Sequence, residues 1–556
     1  MSAAPEEASR PSTRGVAADE LAARFGPAYK WFATCTVMVG TIAAILSSTM
    51  TNVALPDMMG EFGLGQDQIQ WVSTAFLAAT TASMLAAAWG VAAFGVRRCF
   101  MLSLAVFCVG CLVGGYATDA SELILARAIQ GTAAGVIQPL SMVIIFLVFP
   151  PNRRGTAMGL YGLGVILAPA LGPTFGGVLI DNYSWRYTFL ACLPLSLFGM
   201  LPAPIFLPTE RRSTPPPFDW LGFVLVATGI GAFLAGLSNG QRLGWDSNFV
   251  VGGFVLSGIC AVAFLLQEQR TAHPVMDLDL YLNPRFVAAS AVAFMLGVGL
   301  FSSTYLVPLF VQTVQGYTPT ASGLLLAPAG VALGFIQPLG GRLSDRFPAR
   351  VLIIIGIVFF GVSNWLMSDA DTSTPFWRFA MWVAIGRIGM GLIMPALNSG
   401  ALRVLDPRQV SHGAGAINFV RQLGGAVGVG LLSVYLERET TTYASEFNAM
   451  QVGGADAAQT LGRIAGALVR AGLPDNPHLG ARTVEAYRFL SRMIEAQASV
   501  MGFRESFLLV AAGFFVALVP AYFMRPRRPR DPDARKDATE RGGAPRHPRE
   551  VGSAAS

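Results

Sequence analysis

Charge is scarce in this sequence. Only 13% of its 556 residues are Asp, Glu, Lys or Arg, about half the share of a soluble domain, which excludes a chain surrounded mainly by water. Its six cysteines (Cys35, Cys99, Cys108, Cys111, Cys192 and Cys260) lie in or beside apolar stretches of the first half and form no cluster with the four histidines. A disulfide framework and a metal site are therefore not expected, and the cysteines read as packing residues. No glycine-rich loop ending in GKS or GKT is present, so ATP hydrolysis is not expected. No acid, histidine or metal-ligand constellation converges, so the chain is read as a non-enzyme without a cofactor. The first 30 residues lack the apolar core and cleavage pattern of a signal peptide, which makes the first apolar run a retained helix.

What is present is apolar. Hydrophobic residues make up 53% of the chain, mean hydropathy is +0.53, and glycine (61) and phenylalanine (37) are plentiful. Stretches of roughly 20 apolar residues, enough to cross a bilayer as a helix, recur along almost the whole chain. The fold class is all-α and polytopic. The net charge of +6 resides largely in short loops and polar tails, which argues against a nucleic-acid partner. Arg97–Arg98, Arg153–Arg154, Arg211–Arg212, Arg270, Arg342, Arg346, Arg350, Arg403 and Arg408 fall in alternate loops, whereas segments 56–69, 118–122 and 312–318 are poor in basic residues. That alternation predicts a multi-pass protein of the cell inner membrane with both termini cytoplasmic, hence an even number of spans, and fourteen satisfies it.

The expected organisation is a polar cytoplasmic segment at 1–30, a six-helix bundle at 31–207, two inserted helices with linkers at 208–286, and a second six-helix bundle at 287–524. The second bundle includes a long extracytoplasmic loop at 436–504, where 461–473 and 486–501 have the spacing of amphipathic surface helices. A cytoplasmic tail at 525–556 reads as disordered and able to touch anionic lipid. Two stretches echo each other: GTAAGVIQP at 131–139 and RIGMGLIMP at 387–395 both place glycine four residues before proline late in a span. Paired halves are the expected build of a rocking transporter.

GPTFGG at 172–177, with LAPAL before it and Trp185–Arg186 after it, resembles the helix-five antiporter motif of the major facilitator superfamily's fourteen-helix drug:proton antiporters, the EmrB/QacA type of multidrug exporter. NVALPDM at 52–58, QWVSTAFL at 70–77, LARAIQGTAAG at 125–135 and ASGLLLAPAG at 321–330 extend the resemblance over about residues 30–525. It implies the major facilitator fold with 14 transmembrane helices, and proton-coupled efflux of small amphipathic compounds, drugs or endogenous metabolites, by alternating access. It also implies a small-molecule substrate, protons as coupling ion, contact with membrane lipid and, as in many Gram-negative relatives, a periplasmic adaptor and outer-membrane channel. A proton-linked or facilitated transporter of an anionic or lipid-like metabolite, and a non-transporting scaffold on the same fold, stand beside it.

Departures from the family pattern matter here. Ser47 stands where relatives usually have an aspartate, and AWGVAAFGVRR at 88–98 lacks the acid and the arginine common between helices two and three. GRLSDR at 341–346 keeps Asp345 and Arg346 beside Arg342, which makes those three a candidate conformational latch. Ionisable groups inside a membrane default to function. The candidates for the substrate or proton path are Arg127, Gln130, Gln138, Asn52, Asn398, Asn418 and Arg421, with Asp181 and Glu122 as peripheral acids; Arg387 is a further intramembrane cation. Gly172, Pro173, Gly176 and Gly177 are expected to allow a bend or close helix approach.

Overall fold

A computed structural model describes residues 20–64, 66–209, 217–451, 463 and 479–524. The terminal segments at 1–19 and 525–556, the Arg211–Arg212 loop and all of 461–473 except Arg463 lie outside the described residues. The described chain is helical throughout: α1 Tyr29–Val53, α2 Leu55–Phe62, α3 Gln66–Gly115, α4 Ala120–Val148, α5 Arg154–Asn182 and α6 Tyr187–Phe206 come first. After them come α7 Trp220–Leu243, α8 Asn248–Arg270, α9 Pro284–Thr313, α10 Pro319–Arg346 and α11 Ala349–Met367. The chain closes with α12 Phe376–Arg403, α13 Val410–Gln451 and α14 Leu479–Val516. Among the described residues, 12 helices are long and apolar enough to cross a membrane, so the protein is a multi-pass membrane protein.

One of these twelve, Trp71–Gly115, is 45 residues long, about 68 Å if straight and more than twice the hydrocarbon thickness. It folds back at Gly95, whose φ of 76° and ψ of 163° suit only a residue without a side chain. The arms 66–94 and 96–115 are therefore joined by a turn of almost no length. The 29-residue helix α5 is not one of the twelve.

Helices α1 to α6 pack on one another, as do α9 to α14, while α7 and α8 pair together and α7 lies against α3 and α13. The two large groups meet where α5 packs on α10 and α12, and where α13 packs on α3 and α4. Helix starts are set by local chemistry. Asp119, Asp219, Ser247, Asn283 and Thr318 each accept a backbone N–H from the first turn of the helix they precede.

The long loop differs from expectation. Residues 436–451 continue α13, and 479–504 belong to α14, so the 486–501 stretch is part of α14 and not a separate surface helix. The physical reason is close antiparallel packing at their junction: a Cβ on Gly502 would lie 3.2 Å from the Leu436 carbonyl oxygen, leaving no room for the chains to part there.

Candidate functional site

Close packing of α5 on α10 begins at the end that carries the basic loops. The carbonyl oxygen of Gly341 lies against Gly155, and a Cβ at Gly159 would stand 2.6 Å from the Gln337 carbonyl, so these glycines let two backbones touch. Asp345 completes the contact. Its Oδ1 accepts from Gly155 N (2.6 Å), and its Oδ2 accepts from Thr156 N (2.9 Å) and Thr156 Oγ1 (2.7 Å). Arg403 Nη2 donates to the same carboxylate at 3.1 Å. A carboxylate thus sits on the first turn of α5, where unpaired N–H groups and the helix dipole favour negative charge. Of the expected latch, Asp345 is engaged, while Arg342 and Arg346 are exposed and make no hydrogen bond among the described residues.

Further along, the contact opens. Gln337 still lies against Gly162, but the next glycines of α10 on that side, Gly334, Gly330 and Gly323, have nothing within 4 Å of a Cβ position. The two groups therefore touch near Asp345 and separate beyond Gln337. Around this contact several buried polar atoms lack partners among the described residues: both amide atoms of Asn398, Oε1 of Gln337 and Nη1 of Arg421. Such atoms each cost on the order of 1–3 kcal/mol unless water or a ligand meets them.

Arg421 donates to Asn418 Oδ1 at 2.6 Å and lies beside Tyr161, whose hydroxyl donates to the Gln138 carbonyl at 3.2 Å. Asn418 Nδ2 also approaches Met142 Sδ at 3.3 Å. Gln138, Asn418 and Arg421 are thus gathered near the boundary between the helix groups, while Asn398 lies on α12, which packs on α5. Tyr161 escaped the sequence reading because a tyrosine in an apolar helix carries no distinguishing pattern. Arg387, on the side of α12 that also carries Gly391, Met394 and Asn398, is half-buried and makes no hydrogen bond or ion pair among the described residues.

Arg127 and Gln130 lie elsewhere, inside the first group. The Arg127 guanidinium is 1% exposed, donates to Gln130 Oε1 (3.0 Å), Val72 O (3.4 Å) and Ser47 Oγ (3.5 Å), and covers the Phe76 ring at 4.0 Å. Gln130 Nε2 then donates to Cys111 Sγ. No carboxylate reaches this cation among the described residues.

The remaining candidates sit near helix ends or in a packing seam. Glu122 closes a capping box, its Oε2 accepting from Thr118 N at 2.7 Å while its own N–H reaches Asp119 Oδ1. Asp181 is exposed and unpaired among the described residues, and Asn52 Oδ1 accepts from Ser73 Oγ at 2.8 Å. Gly172 meets Thr49 and Gly176 meets Met50, forming a seam between α5 and α1, whereas Gly177 meets nothing and Pro173 lies in the helix between them. At the same end of the first group, Glu61 accepts from Arg186 Nη1 (3.0 Å) and Trp185 Nε1 (2.6 Å). The Arg186 and Trp185 hydrogen bonds hold the Glu61 carboxyl below its usual range.

The sequence profile of the Major Facilitator Superfamily matches residues 37–219 and 220–429. The chain belongs to that family. As a member it moves small molecules across a membrane and is not an enzyme. It is 29% identical over 501 residues to the uncharacterized MFS-type transporter YhcA of Bacillus subtilis, covering 90% of this chain and 92% of that one. It is 29% identical over 491 residues to the multidrug resistance protein B homolog of Mycobacterium tuberculosis, with 88% of each chain covered. The multidrug export protein EmrB of Haemophilus influenzae is 27% identical over 506 residues, covering 89% of this chain and 95% of that one. Among solved structures, the human organic anion transporter MFSD10 (TETRAN) superposes with a TM-score of 0.57 at 13% identity, over 88% of this chain and 99% of that one, a likeness of fold.

Proposed function

We propose that this transporter exports small amphipathic compounds, neutral or anionic, from the cytoplasm by alternating access between its two large helix groups, with proton entry as the driving reaction. The observation that carries the reading is the contrast along α5 and α10, joined through Asp345 at one end and separate beyond Gln337. Arg153, Arg342, Arg346 and Arg403 cluster with Asp345 at the joined end, and the rule that basic residues face the cytoplasm makes that end cytoplasmic. The cleft then faces outward, the state from which an exporter releases its cargo. Fourteen crossings follow when the two arms of α3 count separately and α5 is added, giving six in α1–α6, six in α9–α14, and α7 and α8 as the inserted pair. An even count puts both termini on one side, and the basic-residue rule supports reading that side as the cytoplasm.

The charge of the cargo follows from the side chains. Arg421 brings positive charge to the boundary between the groups and Arg387 adds a second intramembrane cation on α12, and among the described residues no buried carboxylate lies near that boundary to offset them. A desolvated cation without a counter-ion favours an anionic or electron-rich guest and opposes a lipophilic cation. The likeness to proteins named for multidrug export supports a broad, amphipathic cargo.

Counterflow of labelled amphipathic anions, neutral compounds and cations in proteoliposomes tests this reading, with Arg387→Gln and Arg387→Lys compared. The expected result is movement of anions and neutral compounds, with KM for anions raised roughly tenfold or more in Arg387→Gln and largely recovered in Arg387→Lys. Preferential movement of cations, indifferent to both substitutions, overturns the charge assignment.

A further inference from the structure

The boundary between the helix groups offers arginines, and arginine does not exchange a proton at working pH. A second buried cluster, away from that boundary, has the chemistry the arginines lack. Asp219 precedes α7 and Glu268 lies in the last turn of α8, 49 residues later in the chain. They are 8% and 4% exposed. Asp219 Oδ1 is occupied, accepting from Gly222 N at 2.9 Å and Gln267 Nε2 at 3.2 Å; Glu268 Oε2 accepts from Met276 N at 3.3 Å. The Val275 N–H also reaches the Glu268 carboxyl, while Asp219 Oδ2 and Glu268 Oε1 are buried and have no hydrogen-bond partner by distance and angle among the described residues.

These two orphan oxygens converge. A Cβ placed on Gly222 would lie 2.5 Å from Asp219 Oδ2 and 3.1 Å from Glu268 Oε1, so both line the same small gap. Across it, Asp219 is the one charged group among the described residues that acts on Glu268. Nearby charged or titratable groups are engaged elsewhere or face outward: Arg270 and His273 are exposed, Asp277 accepts from Gln409 and Asp279, and Arg97 of α3 donates to the Pro204 carbonyl. Two ionised carboxylates facing each other, with no cation between them among the described residues, would repel, whereas one proton between them removes a charge and supplies a donor to the two open oxygens.

We propose that Asp219 and Glu268 form a carboxyl pair that holds one shared proton at neutral pH, a proton-binding site built by the α7–α8 helices. The pair is placed to influence both large groups. Val226, Ile230 and Leu234 of α7 share an apolar cluster with Ala82 and Leu85 of α3, against which Phe419 and Ala426 of α13 also pack. Phe218, next to Asp219, lies against Trp89 with ring centroids 4.6 Å apart. Loss of the proton puts like charges between the ends of α7 and α8 and loosens a helix pair seated on both groups. The site supplies the exchangeable group that the proton-driven reading under Proposed function needs, and its own argument rests on the carboxyl geometry.

The test is infrared difference spectroscopy of the full-length protein in nanodiscs, titrated from alkaline to acid pH in choline chloride and in sodium chloride, for wild type, Asp219→Asn and Glu268→Gln. Asparagine also caps helices well, so Asp219→Asn preserves the start of α7. Expected is a protonated-carboxyl stretching band present at pH 7 in both salts and lost at that pH in each variant. Absence of the band at pH 7 in wild type, or its persistence in both variants, overturns the proposal; absence in sodium chloride alone overturns it in favour of a bound cation. Transport is measured separately. If Glu268→Gln loses the band while its counterflow still follows an imposed pH gradient, the proton site stands and its coupling role falls.

Discussion

Replacing Asp345 with asparagine tests the joined end of the cleft most directly. The carboxylate accepts three hydrogen bonds from Gly155 and Thr156 and one from Arg403. Asparagine keeps one acceptor oxygen, turns a donor toward groups that themselves donate, and removes the charge at the α5 N-terminus. The helix-end interaction is worth about 1 kcal/mol. Exchanging charge-assisted bonds for neutral ones adds on the order of 1–2 kcal/mol. The Arg403 pair, with that side chain 35% exposed, adds less than ~1 kcal/mol after solvent screening. A loss of about 2–3 kcal/mol shifts the ratio of joined to separated states by roughly 30- to 150-fold. Spin labels at the exposed positions Arg153 and Arg346, read by pulsed electron resonance in nanodiscs, should show a growing long-distance population in Asp345→Asn. An unchanged distance distribution would refute the idea that this carboxylate holds the two groups together.

Three further outcomes follow from the packing and charge of the first group. Glu61 has its pKa lowered from 4.5 by the Arg186 and Trp185 hydrogen bonds, so the stability it adds is present above that value and fades as pH falls below it. Glu61→Gln should flatten the acid side of a thermal-stability profile, with a change near neutrality below ~1 kcal/mol because the pair is partly exposed. Gly172→Ala drives a methyl into Thr49 Oγ1 and to 2.7 Å from Thr49 Cβ, a clash costing about 1–3 kcal/mol. A thermal-shift assay should show that loss, while Gly177→Ala, with nothing within 4 Å, stays near wild type. Ser47→Asp should be tolerated because Arg127 Nη1 lies 3.5 Å from the Ser47 hydroxyl, whereas in an Arg127→Met background the same aspartate is buried without a cation and should cost about 3–5 kcal/mol. Equal melting temperatures for the single and double variants would contradict the proximity.

The membrane class, the sidedness pattern and the family resemblance were legible in the residues because each depends on composition or local order. Apolar runs of spanning length need no partner to be recognised, and arginines in alternate loops mark a side before any helix is packed. Asp345 was visible as a latch candidate for the same reason, since it sits in a short motif. Its partners were not. Arg403 and the Gly155–Thr156 helix start are distant in sequence, and the neighbours Arg342 and Arg346 looked equally suited until the rotation of α10 placed Asp345 against α5.

Rotation and packing also separated residues that had looked alike. Arg127 and Arg421 are both intramembrane cations in sequence, yet one is enclosed by Ser47, Gln130 and Phe76 within a single group and the other reaches Asn418 and Tyr161 where two groups meet. Glu122 resolved into a helix cap, and Glu268 was overlooked because an acid at the end of an apolar run ordinarily faces water. The sequence by itself determined that this chain enters a membrane, since lipid selects for side-chain chemistry summed over a span. Only the tertiary structure decided which polar groups meet, because a hydrogen bond needs two atoms within about 3 Å, and that depends on the angle and depth at which each helix packs.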